Sequence, residues 1–200
     1  MKILITGFEP FLDHAENASW VAATELSRRG VEGVEIAIEQ LPVSFRRVKE
    51  ALQSAVERHS PEALIMVGQA AASDTIRLER IAINMMDAKS GDNDGYIPDE
   101  VPIEVDQPAA LFTTMPIKRL AKSIEERGVA VSISNSCGLY VCNRTYYEGL
   151  RLAAERIERG AIFVHLPLYV GQHTKPNQKP TMPLDDMVVA LQTLINEIND

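Results

Sequence analysis

Short, almost continuously apolar runs alternate with amphipathic helical spacing, and this alternation restricts the fold more than any other feature. Residues 2–6, 63–67 and 161–166 are such runs, and the first two stop at Gly7 and Gly68. They read as strands buried in a sheet rather than lying on its surface. Residues 34–41, closed by Pro42, and 129–134 add two more strands. Residues 75–84 alternate apolar and polar side chains, as a half-exposed strand does. Helical spacing covers 17–29, 44–58, 116–127, 140–159 and 184–198, with Gly30, Gly128 and Gly160 as stops after three of them. Strand-to-helix alternation repeated at least five times predicts an α/β fold. The expectation is a single domain over 1–200, a three-layer α/β/α sandwich with a largely parallel, mixed central sheet. Residues 85–112, with Gly91, Gly95 and three prolines, read as a long loop with at most one strand. Residues 169–183 read as a polar, proline-rich loop. In such a fold the site is expected beyond the carboxyl ends of the strands, after Thr6, Val67, Ser134 and His165.

Composition removes several function classes. The chain has 200 residues, 46% hydrophobic and 24% charged, which are globular values. A formal charge of −8 makes a nucleic-acid partner a poor fit. No apolar run approaches the roughly 20 residues that span a bilayer. The opening MKILITGFEPF reads as a first strand and not as a signal peptide. With two cysteines, Cys137 and Cys142, the expectation is a reducing, cytoplasmic setting with free thiols.

Cys142 lies in Ser134-Asn-Ser-Cys-Gly-Leu-Tyr-Val-Cys-Asn143, between a predicted strand and a long helix. A thiol in the first turn of a helix faces the positive end of its dipole, which favours thiolate. Cys137 competes for the same role, and either cysteine could be a small core residue. His165 ends the next strand of the sequence. If adjacent parallel strands carry the two segments, its ring can approach a thiol on the neighbouring turn. Glu79 is a carboxylate in an otherwise apolar strand, able to orient that imidazole or to pair with Arg77 or Arg80. Phe8 and Phe11 follow the first strand, where a ligand would sit, although core packing also explains them. His14, His59 and His173 look like solvated surface. No histidine stands at a zinc spacing from Cys or carboxylates.

Together these segments resemble the type I pyroglutamyl peptidases, also called pyrrolidone carboxyl peptidases. The similarity runs nearly the full chain. Ile3-Leu-Ile-Thr-Gly-Phe-Glu-Pro-Phe11 is similar to the family's N-terminal block, and Gly68 to Asn84 to its glutamate signature. Gly138-Leu-Tyr-Val-Cys-Asn143 resembles its cysteine signature, and Phe163-Val-His-Leu-Pro167 its histidine block. The resemblance implies a Glu–Cys–His triad at Glu79, Cys142 and His165, with no cofactor and no metal. It leaves Cys137 where members usually have a small residue. It also implies N-terminally pyroglutamylated peptides as substrates and a homotetramer as the assembly. Phe8 and Phe11 would wall the substrate pocket, Asn17 and Gln69 would frame it, and Tyr140 and Val141 stand beside the nucleophile. Pyroglutamate is a neutral lactam, so its pocket needs apolar walls and a few hydrogen-bonding groups rather than a carboxylate for a free amine.

The chain departs from the family's pattern near that pocket. Members usually follow Phe-Glu-Pro-Phe with two glycines, where this chain has Leu12-Asp13. Ala18-Ser19, Ala70-Ala71 and Lys89-Ser90 are further differences. They motivate two alternatives, a cysteine amidohydrolase of altered specificity and a non-catalytic pyroglutamyl-binding homologue. A nucleotide-binding α/β protein is disfavoured because no Gly-rich phosphate loop is present.

Overall fold

The structure is a computed structural model that describes residues 1–12, 14–172 and 181–200. Its elements, in chain order, are β1 (Lys2–Phe8), α1 (Ala18–Arg29), β2 (Glu35–Leu41), α2 (Val48–His59), β3 (Ala63–Gln69), β4 (Ile76–Glu79) and β5 (Ile81–Ile83), followed by β6 (Ala110–Phe112), α3 (Ile117–Glu125), β7 (Val131–Ser134), α4 (Val141–Arg156), β8 (Ala161–Leu166), β9 (Leu168–Tyr169), β10 (Thr181–Met182) and α5 (Leu184–Asn199). Six strands form the central sheet in the order β2-β1-β3-β8-β4-β7. The fold is the expected α/β/α sandwich with a mostly parallel, mixed sheet.

The near-continuous apolar strands arise because the sheet is covered on both faces, so both sets of alternating side chains need apolar partners. On β3, Ala63, Ile65 and Val67 pack with α1, α3 and α5 through Leu26, Leu120 and Leu191. Leu64 and Met66 point the other way, toward Leu52 and Val56 of α2 and Tyr146 and Leu150 of α4. The same parity puts Phe8, Phe163, His165, Arg77 and Glu79 on the α2/α4 face. Ile5, Val164 and Leu78 lie on the opposite one.

Several boundaries differ from the sequence reading for local reasons. The span 75–84 is two strands, not one. At Arg80 the backbone N–H donates to Ser134 O while its carbonyl accepts from Thr113 N. The chain thereby leaves the main sheet, and β5 pairs with β6 instead. Ser44 does not cap α2 directly. Its hydroxyl accepts from Arg47 N at 3.1 Å, closing a turn before the helix begins at Val48. Helix α4 stops at Arg156, because Ile157 is already extended. Residues 85–112 form a loop with one isolated bridge, Met86 to Val101, before β6. The loop is pinned by Asp92, whose carboxylate accepts from the N–H groups of Phe45, Asp94 and Tyr96. Part of the loop expected over 169–183, including His173, lies outside the described residues, as does Asp13. Among the described residues no helix is long and apolar enough to cross a membrane.

The expected geometry, in which adjacent parallel strands carry the cysteine and histidine segments, is corrected. β4 lies between β7 and β8, antiparallel to β8 and parallel to β7. Consequently β7 runs opposite to β8, and its carboxyl end, Ser134, is not at the edge where His165 sits. The segment 135–140 must fold back over the α4 face to bring α4's first turn above the sheet.

Candidate active site

Three elements converge at the carboxyl ends of β1, β3 and β8. β8 carries His165, 7% exposed, packed against Phe163 with ring centroids 4.8 Å apart. β4 carries Glu79, fully buried, whose Oε1 lies 2.8 Å from His165 Nδ1. Antiparallel pairing sets Arg77 opposite His165 and Glu79 opposite Phe163, so the carboxylate reaches the imidazole from a diagonal position. Glu79 pairs with neither Arg77 nor Arg80. Its second oxygen, Oε2, has no hydrogen-bond partner among the described residues.

Cys142 is the second residue of α4. Two contacts lock this helix over the sheet. The Tyr146 hydroxyl donates to the Glu79 carbonyl at 2.7 Å. The Asn143 amide donates to the carbonyls of Ile83 and Met85 and accepts from Ile83 N, all within 2.9 Å. Gly68 completes the seat of the thiol. A Cβ there would lie 2.7 Å from the Phe163 ring and 3.1 Å from Cys142 Sγ. A side chain at position 68 would therefore displace the Phe163 ring and crowd the thiol.

Burial disfavours the charged form of His165, but hydrogen bonding to Cys142 and Glu79 outweighs it and raises the imidazole to about 9. The environment therefore favours the charged form of the ring. Cys137 behaves differently. It is 7% exposed, and burial, reinforced by Cys142 and Glu79, holds its thiol well above the ordinary cysteine range. Both cysteines are free. Donor atoms of Glu79, Cys137 and His165 lie within 4.8 Å of one another, so the fold assembles three possible metal donors that no sequence spacing announces.

A cavity of about 420 Å³ opens onto Cys142 and His165. It is lined by all six residues expected to bind substrate, Phe8, Phe11, Asn17, Gln69, Tyr140 and Val141. Phe11 and Tyr140 stack at 5.2 Å, and Tyr140 donates to Gly91 O at 2.9 Å, which fastens the 85–112 loop behind the wall. That loop buttresses the cavity and does not line it. Asn17 has mainly a structural task. It caps α1 by accepting from Ser19 N, and it donates to Glu9 O. Gln69 Oε1 accepts from Ala18 N and from Gln172 Nε2, both at 2.8 Å, and its NH2 group has no partner among the described residues.

Sequence reasoning missed Arg77, Ser136, Gly138 and Val43 as lining residues, whereas Cys137 and Ala70, both noted in the sequence, do line the cavity. Arg77 was detectable in principle, two residues before Glu79 on a strand and hence on its face. Ser136, Cys137 and Gly138 reach the cavity through the folded-back segment, which no local pattern encodes. Of the departures from the resembled pattern, Ala70 lines the cavity and Lys89 is exposed outside it. Leu12 is exposed with φ 55°, the left-handed region that glycine enters freely. His59 is bound to Glu39 and does not line this cavity.

A thiol and a carboxylate-bound imidazole meeting in an open cavity of an α/β/α sandwich define a cysteine-type hydrolase. The match extends over the whole molecule. Residues 1–200 fit the pyroglutamyl peptidase family, and the chain belongs to that family of cysteine peptidases. It is 39% identical over 196 residues to the pyrrolidone-carboxylate peptidase of Thermococcus onnurineus, covering 98% of this chain and 97% of that protein. The Bacillus subtilis pyrrolidone-carboxylate peptidase is 38% identical over 194 residues, covering 96% and 89%. Among solved structures, a mutant pyrrolidone carboxyl peptidase from P. furiosus superposes with a TM-score of 0.94 at 34% identity, covering 100% of this chain and 98% of that one. Bacillus amyloliquefaciens pyroglutamyl peptidase I gives 0.91 at 33%, covering 96% and 94%.

Proposed function

We propose that this chain hydrolyses the amide bond after an N-terminal pyroglutamyl residue, with Cys142 as nucleophile, His165 as acid and base, and Glu79 as the group that orients the imidazole. The observation that carries this reading is the 2.8 Å contact between Glu79 Oε1 and His165 Nδ1, at a cavity that Cys142 also lines. Because Nδ1 is engaged by the carboxylate, Nε2 is the nitrogen that exchanges protons with the reacting atoms.

The proposed reaction begins once Cys142 Sγ has given its proton to His165 Nε2. Cys142 Sγ adds to the pyroglutamyl carbonyl carbon, and the oxyanion turns to the free N–H groups at the start of α4. Such donors are each worth roughly 3 kcal/mol of barrier. The C–N bond breaks as the imidazolium gives its proton to the leaving amine, and a thioester remains. The neutral ring then takes a proton from water. The hydroxide adds to the thioester carbonyl, and collapse releases pyroglutamate and restores the thiolate. Phe8, Phe11, Tyr140 and Val141 supply apolar walls for the neutral lactam, and the Gln69 NH2 group donates to its carbonyl. Cys142 is partly exposed where Cys137 is buried, and this accessibility supports Cys142 over Cys137 as the nucleophile.

Two free thiols suit a reducing compartment, which supports a cytoplasmic setting. A homotetramer, implied by the sequence resemblance, is checked by sedimentation equilibrium. The deciding experiment for the chemistry is release of a reporter from a pyroglutamyl substrate by wild type, Cys142→Ala and Cys137→Ala. Loss by more than about 10³-fold is expected in Cys142→Ala, with turnover retained in Cys137→Ala. The reverse pattern would move the nucleophile to Cys137. A wild type that binds a pyroglutamyl peptide without cleaving it would identify a binding homologue instead.

A further inference from the structure

Among the described residues that line the cavity, Arg77 is a cation that the proposed chemistry does not use. Arg77 lies on β4, half-buried, directly opposite His165 in the antiparallel pair, and it lines the cavity. Its parity puts it on the α2/α4 face with Glu79. That carboxylate is bound to His165, so it does not neutralise the guanidinium. Ser132, opposite Arg77 on β7, is hydrogen-bonded to Thr75. Among the described residues no carboxylate forms an ion pair with Arg77.

The strand order gives this cation a direction. Across the sheet, Phe8 at β1 and Gln69 at β3 lie on one side of His165, and Arg77 on β4 lies on the other. If the lactam occupies the aromatic side and His165 protonates the leaving amine, the next residue of the peptide extends toward Arg77. We propose that Arg77 forms a carboxylate-binding subsite on the leaving-group side, so that peptides with a carboxylate on the residue after the pyroglutamyl group are hydrolysed preferentially. The proposal rests on the pyroglutamyl reading above. The carboxylate has two possible sources, the α-carboxylate of a pyroglutamyl dipeptide and an Asp or Glu side chain. Either would otherwise meet the repulsion of a chain with net charge −8, and a local guanidinium with its planar fork reverses that field.

The test measures kcat/KM for two matched pairs: pyroglutamyl-alanine against its amide, and pyroglutamyl-glutamate amide against pyroglutamyl-glutamine amide. Wild type is expected to favour the carboxylate member of at least one pair by about tenfold at low salt, less at high salt. The pair that responds identifies the source. In Arg77→Gln the ratio should fall to about one, whatever the absolute rate. Arg77→Lys should retain part of it, because charge persists without the fork. A wild-type ratio of one in both pairs overturns the proposal, as does a ratio that survives in both variants. Because the readout is a ratio within one preparation, loss of folded protein does not imitate the result. Failure to cleave the neutral members as well would overturn the pyroglutamyl reading and the subsite with it.

Discussion

At the scale of single residues, the site turns on how one imidazole is held. His165 is buried and would by burial alone lose its proton more readily, yet Cys142 and Glu79 together raise it to about 9. The sign follows from linkage. A folded-state pKa above the usual 6.5 stabilises the native protein fully below about 6.5, and that stabilisation disappears as pH rises through 9. In the proposed mechanism, the imidazolium that protonates the leaving amine is lost over the same interval. The alkaline limb of kcat/KM is therefore expected near pH 9 in wild type, and lower in Glu79→Gln, where one of the two raising partners is weakened. A pH–rate profile checks this, and a limb that stays in place would remove Glu79 from its orienting role. Much of this was legible in the sequence. His165 lies near the end of a strand and Cys142 in the first turn of a helix, so their types and positions suggest chemistry, whereas Gln69 entered only through the family resemblance. Cys137 was not legible as a neighbour of Glu79 and His165. Its approach depends on residues 135–140 folding back across the sheet, a path set by tertiary packing and not by spacing.

At the scale of elements, the site depends on α4 being fixed to β4 and β5. Asn143 sits fully buried one position after Cys142 and satisfies three backbone groups of another segment. Asn143→Ala leaves those groups unmatched away from water. A loss of roughly 2–4 kcal/mol is expected, because unsatisfied buried groups cost about 1–3 kcal/mol each and water recovers part of it. Chemical denaturation measures the loss, and a change under about 0.5 kcal/mol would mean that α4 is held by apolar packing alone. The sequence pattern identified all five helices and the main strands because their faces are strongly apolar. It did not reveal the break at Arg80, since apolar–polar alternation continues smoothly across a point where the chain changes partner strands. Nor could it give the direction of β4, because period-two alternation is the same whichever way a strand runs.

At the scale of the whole molecule, two apolar layers share one sheet and are separated by the thickness of a strand. Leu64 and Ile65 are adjacent and fully buried, and they face different layers. If residues 1–200 form a single cooperative domain, truncating either side chain destabilises the same unit. Leu64→Ala and Ile65→Ala are each expected to cost about 2–5 kcal/mol and to shift one common melting transition. Calorimetry of the two variants decides the matter. Separate transitions, each sensitive to one variant, would divide the molecule into two folding units.

The four-residue strand β4 has a further consequence for how the gene can change. Arg77 and Glu79 are separated by a single residue, and Leu78 between them is buried in the opposite layer. Inserting or deleting one residue inside this stretch would reverse its parity, sending the carboxylate into an apolar layer and a leucine toward the imidazole. The connection over 70–75, a surface turn, has room to lengthen without that inversion. Reading-frame-preserving indels are thus filtered by odd and even number within β4, whereas the turn before it can vary and reshape the cavity rim.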